Sequence, residues 1–292
     1  MIAPDQLERF IFENTAVRGN LVRLNSTWLN IIERHDYPLI LRKLIGELLA
    51  ASALLAATLK FKGSLILQIQ GKGAISLLVV ECTSDLGLRA TAKWDEGISN
   101  DITFNELLGG GTCVITLVPE DGGQSYQGIV PLEGESVAQI IANYMLRSEQ
   151  LETAIWLAVS PDCATGMLLQ KMPKQPMHDP DDWNRVVQLA STIQAEELTG
   201  IEAGILLHRL FNEDDIRLFD PQPVRFQCTC SSKNVASALR MLGKDDMMAL
   251  LSERGKIEVN CEFCNQRYEF DTIDVEQIFS AEVSAPTSQM RH

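Results

Sequence analysis

Four cysteines late in the sequence constrain this chain more than any other feature. Cys228 and Cys230 form a C-x-C pair; after thirty intervening residues, Cys261 and Cys264 form a C-x-x-C pair. A borderline-soft divalent ion such as zinc takes four thiolates in a tetrahedron at about 2.3 Å, and two short cysteine pairs on a folded connection supply that shell. The Cys261-Glu262-Phe263-Cys264 half spans the usual chelating turn, whereas Cys228-Thr229-Cys230 is squeezed by its single intervening residue. Two ordinary disulfides, or four cysteines that are merely buried, are the plainer readings. Two close pairs within one short segment favour a metal, with zinc the best match and an iron–sulfur cluster the rival centre.

At 292 residues the chain has room for about two domains, each with its own core. A net charge of −14 disfavours nucleic acid and anionic membrane surfaces as partners. Met1 to Phe10 carries no basic leader with an apolar core, and the apolar run from Leu48 to Leu59 is too short to span a bilayer. Seven cysteines, an odd number, fit a reducing cytoplasm better than a disulfide framework. Cys82, Cys113 and Cys163 lie outside the two pairs and read as structural residues.

The fold class expected is α+β: a mixed core with a largely antiparallel sheet over 1–178, a charged helical linker over 179–225, and a small zinc-binding domain over 226–292. In the core, a short strand or turn falls near Val17-Arg18-Gly19, and Ser26 or Thr27 caps a helix through Arg34. Pro38 opens a long helix to about Leu59, with Leu41, Leu44, Ile45, Leu48, Leu49 and Leu55 along its apolar stripe. Strands are expected over Ser64–Gln70, Ile75–Glu81, Gly87–Trp94, Cys113–Leu117, Gln124–Val130, Ala154–Ser160 and Gly166–Met172, with a helix from Ser136 to about Glu149. Gly109-Gly110-Gly111 is a turn, because no lysine–serine pair follows it as a phosphate loop requires. No nucleophile turn or catalytic set stands out, and the chain reads as a non-enzyme with no catalytic residues.

Pro173, Pro176 and Pro180 mark a boundary, and the stretch from Asp179 to Arg225 holds ten acidic residues against four arginines. Asp182 caps a helix carrying Trp183, Val186, Val187, Ala190 and Ile193, and a second helix presents Leu206, Leu207, Leu210 and Phe211. Such helices suit docking on a neighbouring surface; a solvated linker is the blander alternative. Beyond Phe226, two short helices (Lys233–Leu242 and Asp245–Leu251) separate the cysteine pairs. Lys256–Asn260 and Arg267–Phe270 flank the C-x-x-C turn as a hairpin, and Asp274–Phe279 adds a last helix. A segment this small buries little, so a structural zinc would supply much of its folding energy, on the order of 10–16 kcal/mol of apparent binding.

The cysteine pattern after an α/β core and a charged helical stretch resembles the bacterial redox-regulated heat-shock holdase chaperone family, the 33 kDa chaperonins. The resemblance runs through the whole chain. It includes Tyr126-Gln127-Gly128-Ile129-Val130 with Leu132-Glu133-Gly134, Tyr144 with Arg147-Ser148-Glu149-Gln150-Leu151, and Gly166-Met167-Leu168-Leu169-Gln170 with Met172-Pro173. One departure is Glu152, where the family often has proline. The resemblance implies that the reduced protein holds zinc through Cys228, Cys230, Cys261 and Cys264 and is inactive. It further implies that oxidation joins Cys228 to Cys230 and Cys261 to Cys264 and expels the metal. The linker then loosens, unfolding client proteins bind without ATP, and the activated form is a homodimer.

A different class is a structural zinc-ribbon interaction module. From Phe226 onward ten acidic residues face seven basic ones, which argues against nucleic acid for that segment. A zinc hydrolase fits poorly, since four thiolates leave no open position for water.

Overall fold

The computed structural model describes residues 5–99, 101–172 and 181–280. The expected boundary at Pro173, Pro176 and Pro180, with Asp179, lies outside them, as do the first four residues of the leader reading. The chain divides into two compact units, Met1–Gln227 and Cys228–His292.

In the first unit the strands divide between two sheets. Chain order runs β1 (Gln6–Phe12), β2 (Val17–Leu24), α1 (Ser26–Ile32), α2 (Leu39–Thr58), β3 (Gly63–Gly71), β4 (Ile75–Thr83), β5 (Gly87–Trp94) and α3 (Phe104–Leu108). It continues with β6 (Gly111–Pro119), β7 (Tyr126–Pro131), α4 (Val137–Arg147), β8 (Thr153–Val159) and β9 (Ala164–Lys171). Then come α5 (Asp182–Ala190), α6 (Ala195–Gly200), α7 (Ala203–Leu210), β10 (Ile216–Leu218), β11 (Gln222–Pro223) and β12 (Arg225–Phe226). One sheet has the order β10-β1-β2-β9-β8, with β11 also on β1; the other is β12-β5-β4-β3-β6-β7. All pairings are antiparallel except β12 on β5.

Helix α2 holds the two sheets together. It packs on β2, β8 and β9 of one and on β3, β4 and β5 of the other, so nearly every side of it is buried: Leu41, Leu44 to Gly46, and all of Leu48 to Ala56. That is why Leu48–Leu59 reads as an unbroken apolar run without being a membrane segment. Where α2 crosses β8 a Cβ on Gly46 would come within 2.8 Å of Val159, so the crossing requires glycine. Strand β1 went unread because its burial is not alternating: Glu8 is buried alongside Leu7. The expected turn at Val17–Gly19 is the start of a full strand, and Gly19 pairs with Phe10, whose ring lies where a Cβ would stand. Helix α1 takes its cap from outside itself: the Asp5 carboxylate accepts from the backbone amides of Asn25, Ser26 and Thr27.

Two of the segments that carry the family resemblance meet at α4. Gly128 leaves room for the Tyr144 ring, the Tyr144 hydroxyl donates to Glu149 at 2.7 Å, and Arg147 pairs with Glu133 at 2.8 Å. Glu152, the departure, pairs with Lys171 at 2.6 Å across the start of β8.

Helices α5 to α7 lie on the outer face of the first sheet. Val186 and Ala190 of α5, Leu198 of α6, and Leu206, Leu207 and Leu210 of α7 form a second core with Phe10, Phe12, Leu21, Met167 and Leu169. The α5 stripe is therefore Trp183, Val186, Leu189 and Ala190, with Ile193 packed beside it just past the helix end; Val187 is only half-buried and does not join it.

The second unit contains α8 (Ser232–Arg240), α9 (Lys244–Arg254), the hairpin β13 (Ile257–Asn260) and β14 (Arg267–Phe270), and α10 (Thr272–Ser280). Its core is small: Leu239, Met247, Leu251, Ile257, Phe270 and Val275.

Candidate metal centre

The sequence places the two cysteine pairs on two arms of the second unit. The C-x-x-C arm caps the β13–β14 hairpin: the Cys261 amide donates to the Gln266 carbonyl at 2.9 Å, and the Asn265 amide to the Cys261 carbonyl at 2.8 Å. Asn265 closes the turn with a φ of 59°, a left-handed conformation that asparagine tolerates better than most residues. The C-x-C arm leads straight into α8. Ser231 caps that helix by accepting from the Asn234 amide, and the Asn234 side chain ties back to the Thr229 carbonyl at 2.9 Å. Cys230 thus lies one residue ahead of a helix N-cap.

The four sulfurs converge to within 4.8 Å of one another. Cys228 Sγ is 3.7 Å from Cys261 Sγ, and Cys230 Sγ is 3.3 Å from Cys264 Sγ. A tetrahedral ion with metal–sulfur bonds of about 2.3 Å gives sulfur–sulfur edges of about 3.8 Å. None of the seven cysteines is in a disulfide, which would bring two sulfurs to about 2.0 Å. One ion fits this spacing; an iron–sulfur cluster interposes its own iron and sulfide atoms and needs its cysteines farther apart. Burial, followed by the three neighbouring sulfurs, pushes the Cys264 thiol well above its ordinary range, while the Gln266 backbone amide opposes the shift. Four thiolates this close repel one another unless a cation lies among them, so the donor set suits a divalent ion.

The remaining cysteines belong to the first unit. Cys82, Cys113 and Cys163 are buried, and burial raises all three thiols, Cys113 to about 12. Such thiols are inert at neutral pH. No helix among the described residues is long and apolar enough to cross a membrane.

Fold and site together define an α+β protein with a separate small unit built on a four-cysteine, metal-competent knuckle. The chain belongs to the Hsp33 protein family, which matches it over residues 5–271. It is 54% identical over 290 residues to the 33 kDa chaperonin of Methylobacillus flagellatus, covering 99% of each chain. It is 48% identical to that of Chromobacterium violaceum, over 99% of this chain and 98% of the relative. The crystal structure of the 33 kDa chaperonin from Thermotoga maritima superposes with a TM-score of 0.81 at 21% identity, over 96% of this chain and 99% of the other. That last likeness concerns the fold.

Proposed function

We propose that the chain is an ATP-independent holdase chaperone controlled by the redox state of its four-cysteine site. The observation that carries this reading is the convergence of Cys228, Cys230, Cys261 and Cys264 in a unit whose own core is too small to hold it firmly. In the reduced protein these four thiolates would hold zinc, and the ion would tie the two arms together and supply much of the unit's folding energy. Hydrogen peroxide oxidises two thiols to one disulfide and is itself reduced to two waters. Two such steps join Cys228 to Cys230 and Cys261 to Cys264 and leave the metal without ligands.

The assignment of roles follows: 1–178 is the chaperone core, 179–225 the linker, and 226–292 the switch. When the switch unfolds, α5 to α7 loosen from the first sheet. That uncovers Phe10, Phe12, Leu21, Met167 and Leu169, an apolar face on which unfolding clients can settle, and the active form is a homodimer. Aggregation of a heat-unfolded enzyme is suppressed by the oxidised protein and by the reduced protein only weakly. The odd cysteine count, the buried thiols and the family's bacterial members favour the cytoplasm.

The test measures zinc, thiols and client light scattering together, before and after peroxide at raised temperature. The expected result is one zinc released, four thiols lost, three buried thiols retained, and aggregation suppressed only after oxidation. Full retention of zinc by an oxidant-treated protein would instead leave the structural zinc-ribbon reading.

A further inference from the structure

We infer that Tyr268 is the outer-sphere donor that fixes how firmly the four-cysteine site keeps its metal. This rests on the reading that the site holds one. The Tyr268 hydroxyl donates to Cys230 Sγ at 3.1 Å, and it is a side chain that no cysteine spacing points to.

The placement is built by the hairpin. Tyr268 pairs with Val259 in the β13–β14 register, two residues before the buried Phe270 and on the same face of the strand. Its ring packs against the small core of the second unit, while its hydroxyl reaches past the hairpin to the other arm. A half-buried tyrosine has an apolar body and one polar atom that needs a partner, and here the partner is a sulfur. The two arms are thereby joined twice: through whatever the four sulfurs bind, and through this bond from β14 to the C-x-C arm.

Sulfurs that bind a metal retain charge that outer donors stabilise, and such donors orient the ligand and set metal affinity. Cys264 receives a backbone donor, the Gln266 amide, from its own turn. Cys230 has a single-residue spacing to Cys228 and draws on a tyrosine from the opposite arm. A backbone donor survives every substitution except proline, whereas this one can be deleted with a single oxygen atom. Tyr268 is a positioning residue: it acts on the metal only through Cys230.

The experiment compares the full-length reduced chain with Tyr268→Phe and Tyr268→Leu, loaded with cobalt(II) and, separately, with zinc against a chromophoric chelator. Removing the hydroxyl raises the energy of the Cys230 sulfur lone pairs, so the thiolate-to-cobalt charge-transfer band moves to longer wavelength in both variants. Zinc affinity falls roughly 10–100-fold in Tyr268→Phe, the usual cost of losing an outer-sphere partner. Amide exchange of the β13–β14 hairpin stays at the parental rate in Tyr268→Phe and accelerates in Tyr268→Leu, which separates the hydroxyl from the packing of the ring. An unmoved band and parental zinc affinity in Tyr268→Phe overturn the inference while leaving the metal site standing. Failure of the parent itself to bind either ion removes the site and the inference together.

Discussion

Arg23 donates to the carbonyl of Thr199 at 2.6 Å, a bond between residues 176 positions apart. The same guanidinium donates to the carbonyls of Leu198 and Ile201, so one side chain of β2 gathers the C-terminal carbonyls of α6. Those carbonyls have no partner within the helix, and a cation at a helix C-terminus also complements its dipole. Arg23 is thus a clamp between the first sheet and the proposed linker. Arg23→Met keeps the aliphatic stem and removes the donors, at an expected cost of about 1–3 kcal/mol. Limited proteolysis should cut near α6 faster, and the reduced variant should suppress client aggregation partially. Unchanged cleavage together with unchanged aggregation would show that the clamp does not control the linker.

The apolar half of the same contact is carried by Val186, which is fully buried among Phe10, Leu21 and their neighbours. Val186→Asp places a carboxylate there without a partner, which costs several kcal/mol, on the order of 3. Val187→Asp should cost about 0.5 kcal/mol or less, because its side chain stays outside the cluster. Urea unfolding followed by tryptophan emission checks the difference, Trp183 being half-buried at the same contact. Equal effects from the two variants would mean that α5 does not dock through this face.

Glu47 gives the first unit a pH dependence. Its carboxylate lies along a cavity of about 260 Å³ lined by Ser136, Ile155, Gln194 and Ala195. Burial raises it to about 7, with Lys43 opposing. The folded state therefore favours the protonated form, so its contribution is complete below about pH 4.5 and is lost as pH rises through 7. Glu47→Gln should stabilise the protein by roughly 1–2 kcal/mol at pH 8, a half-buried group being discounted for solvent, and change it little at pH 4. Thermal melts at the two pH values decide; equal effects at both would show that the carboxylate is solvated after all.

The cysteine arms were legible in the sequence because metal chemistry permits few spacings, and the Arg267–Phe270 hairpin followed from the turn between them. Helix α2 was legible from its stripe, although not its burial on nearly all sides, which depends on two sheets arriving from distant parts of the chain. Strand β1 was hidden by the buried Glu8, whose carboxylate accepts from Gln6. Helix α6 is six residues long with no apolar period: Glu197 caps it by accepting from the Gln194 amide and Leu198 anchors it, while the Arg23 clamp that holds its far end is set 170 or more positions away and could not be read. Tyr268 could not be read either. Its role depends on a register pair and on the meeting of two arms, and tyrosine in a strand is ordinary.

The two cysteine pairs should oxidise in order. Cys261 and Cys264 lie in a relaxed turn, whereas a bond across Cys228 and Cys230 closes a small ring around one residue. Strained disulfides have more oxidising potentials and form less readily. In the folded unit, however, Cys228 lies against Cys261 and Cys230 against Cys264, so contact alone would select bonds between the arms. By ring strain, the Cys261–Cys264 bond should therefore appear first under mild peroxide, removing two of the four proposed metal ligands and weakening the fold that the ion would support. The Cys228–Cys230 bond should follow only as the unit opens, and it should be the step that heat accelerates. Thiol trapping with mass mapping over a peroxide time course reads the order directly. Appearance of the Cys228–Cys230 bond first, or of a Cys228–Cys261 bond between the arms, would show that contact in the folded unit, rather than ring strain, selects the pairing.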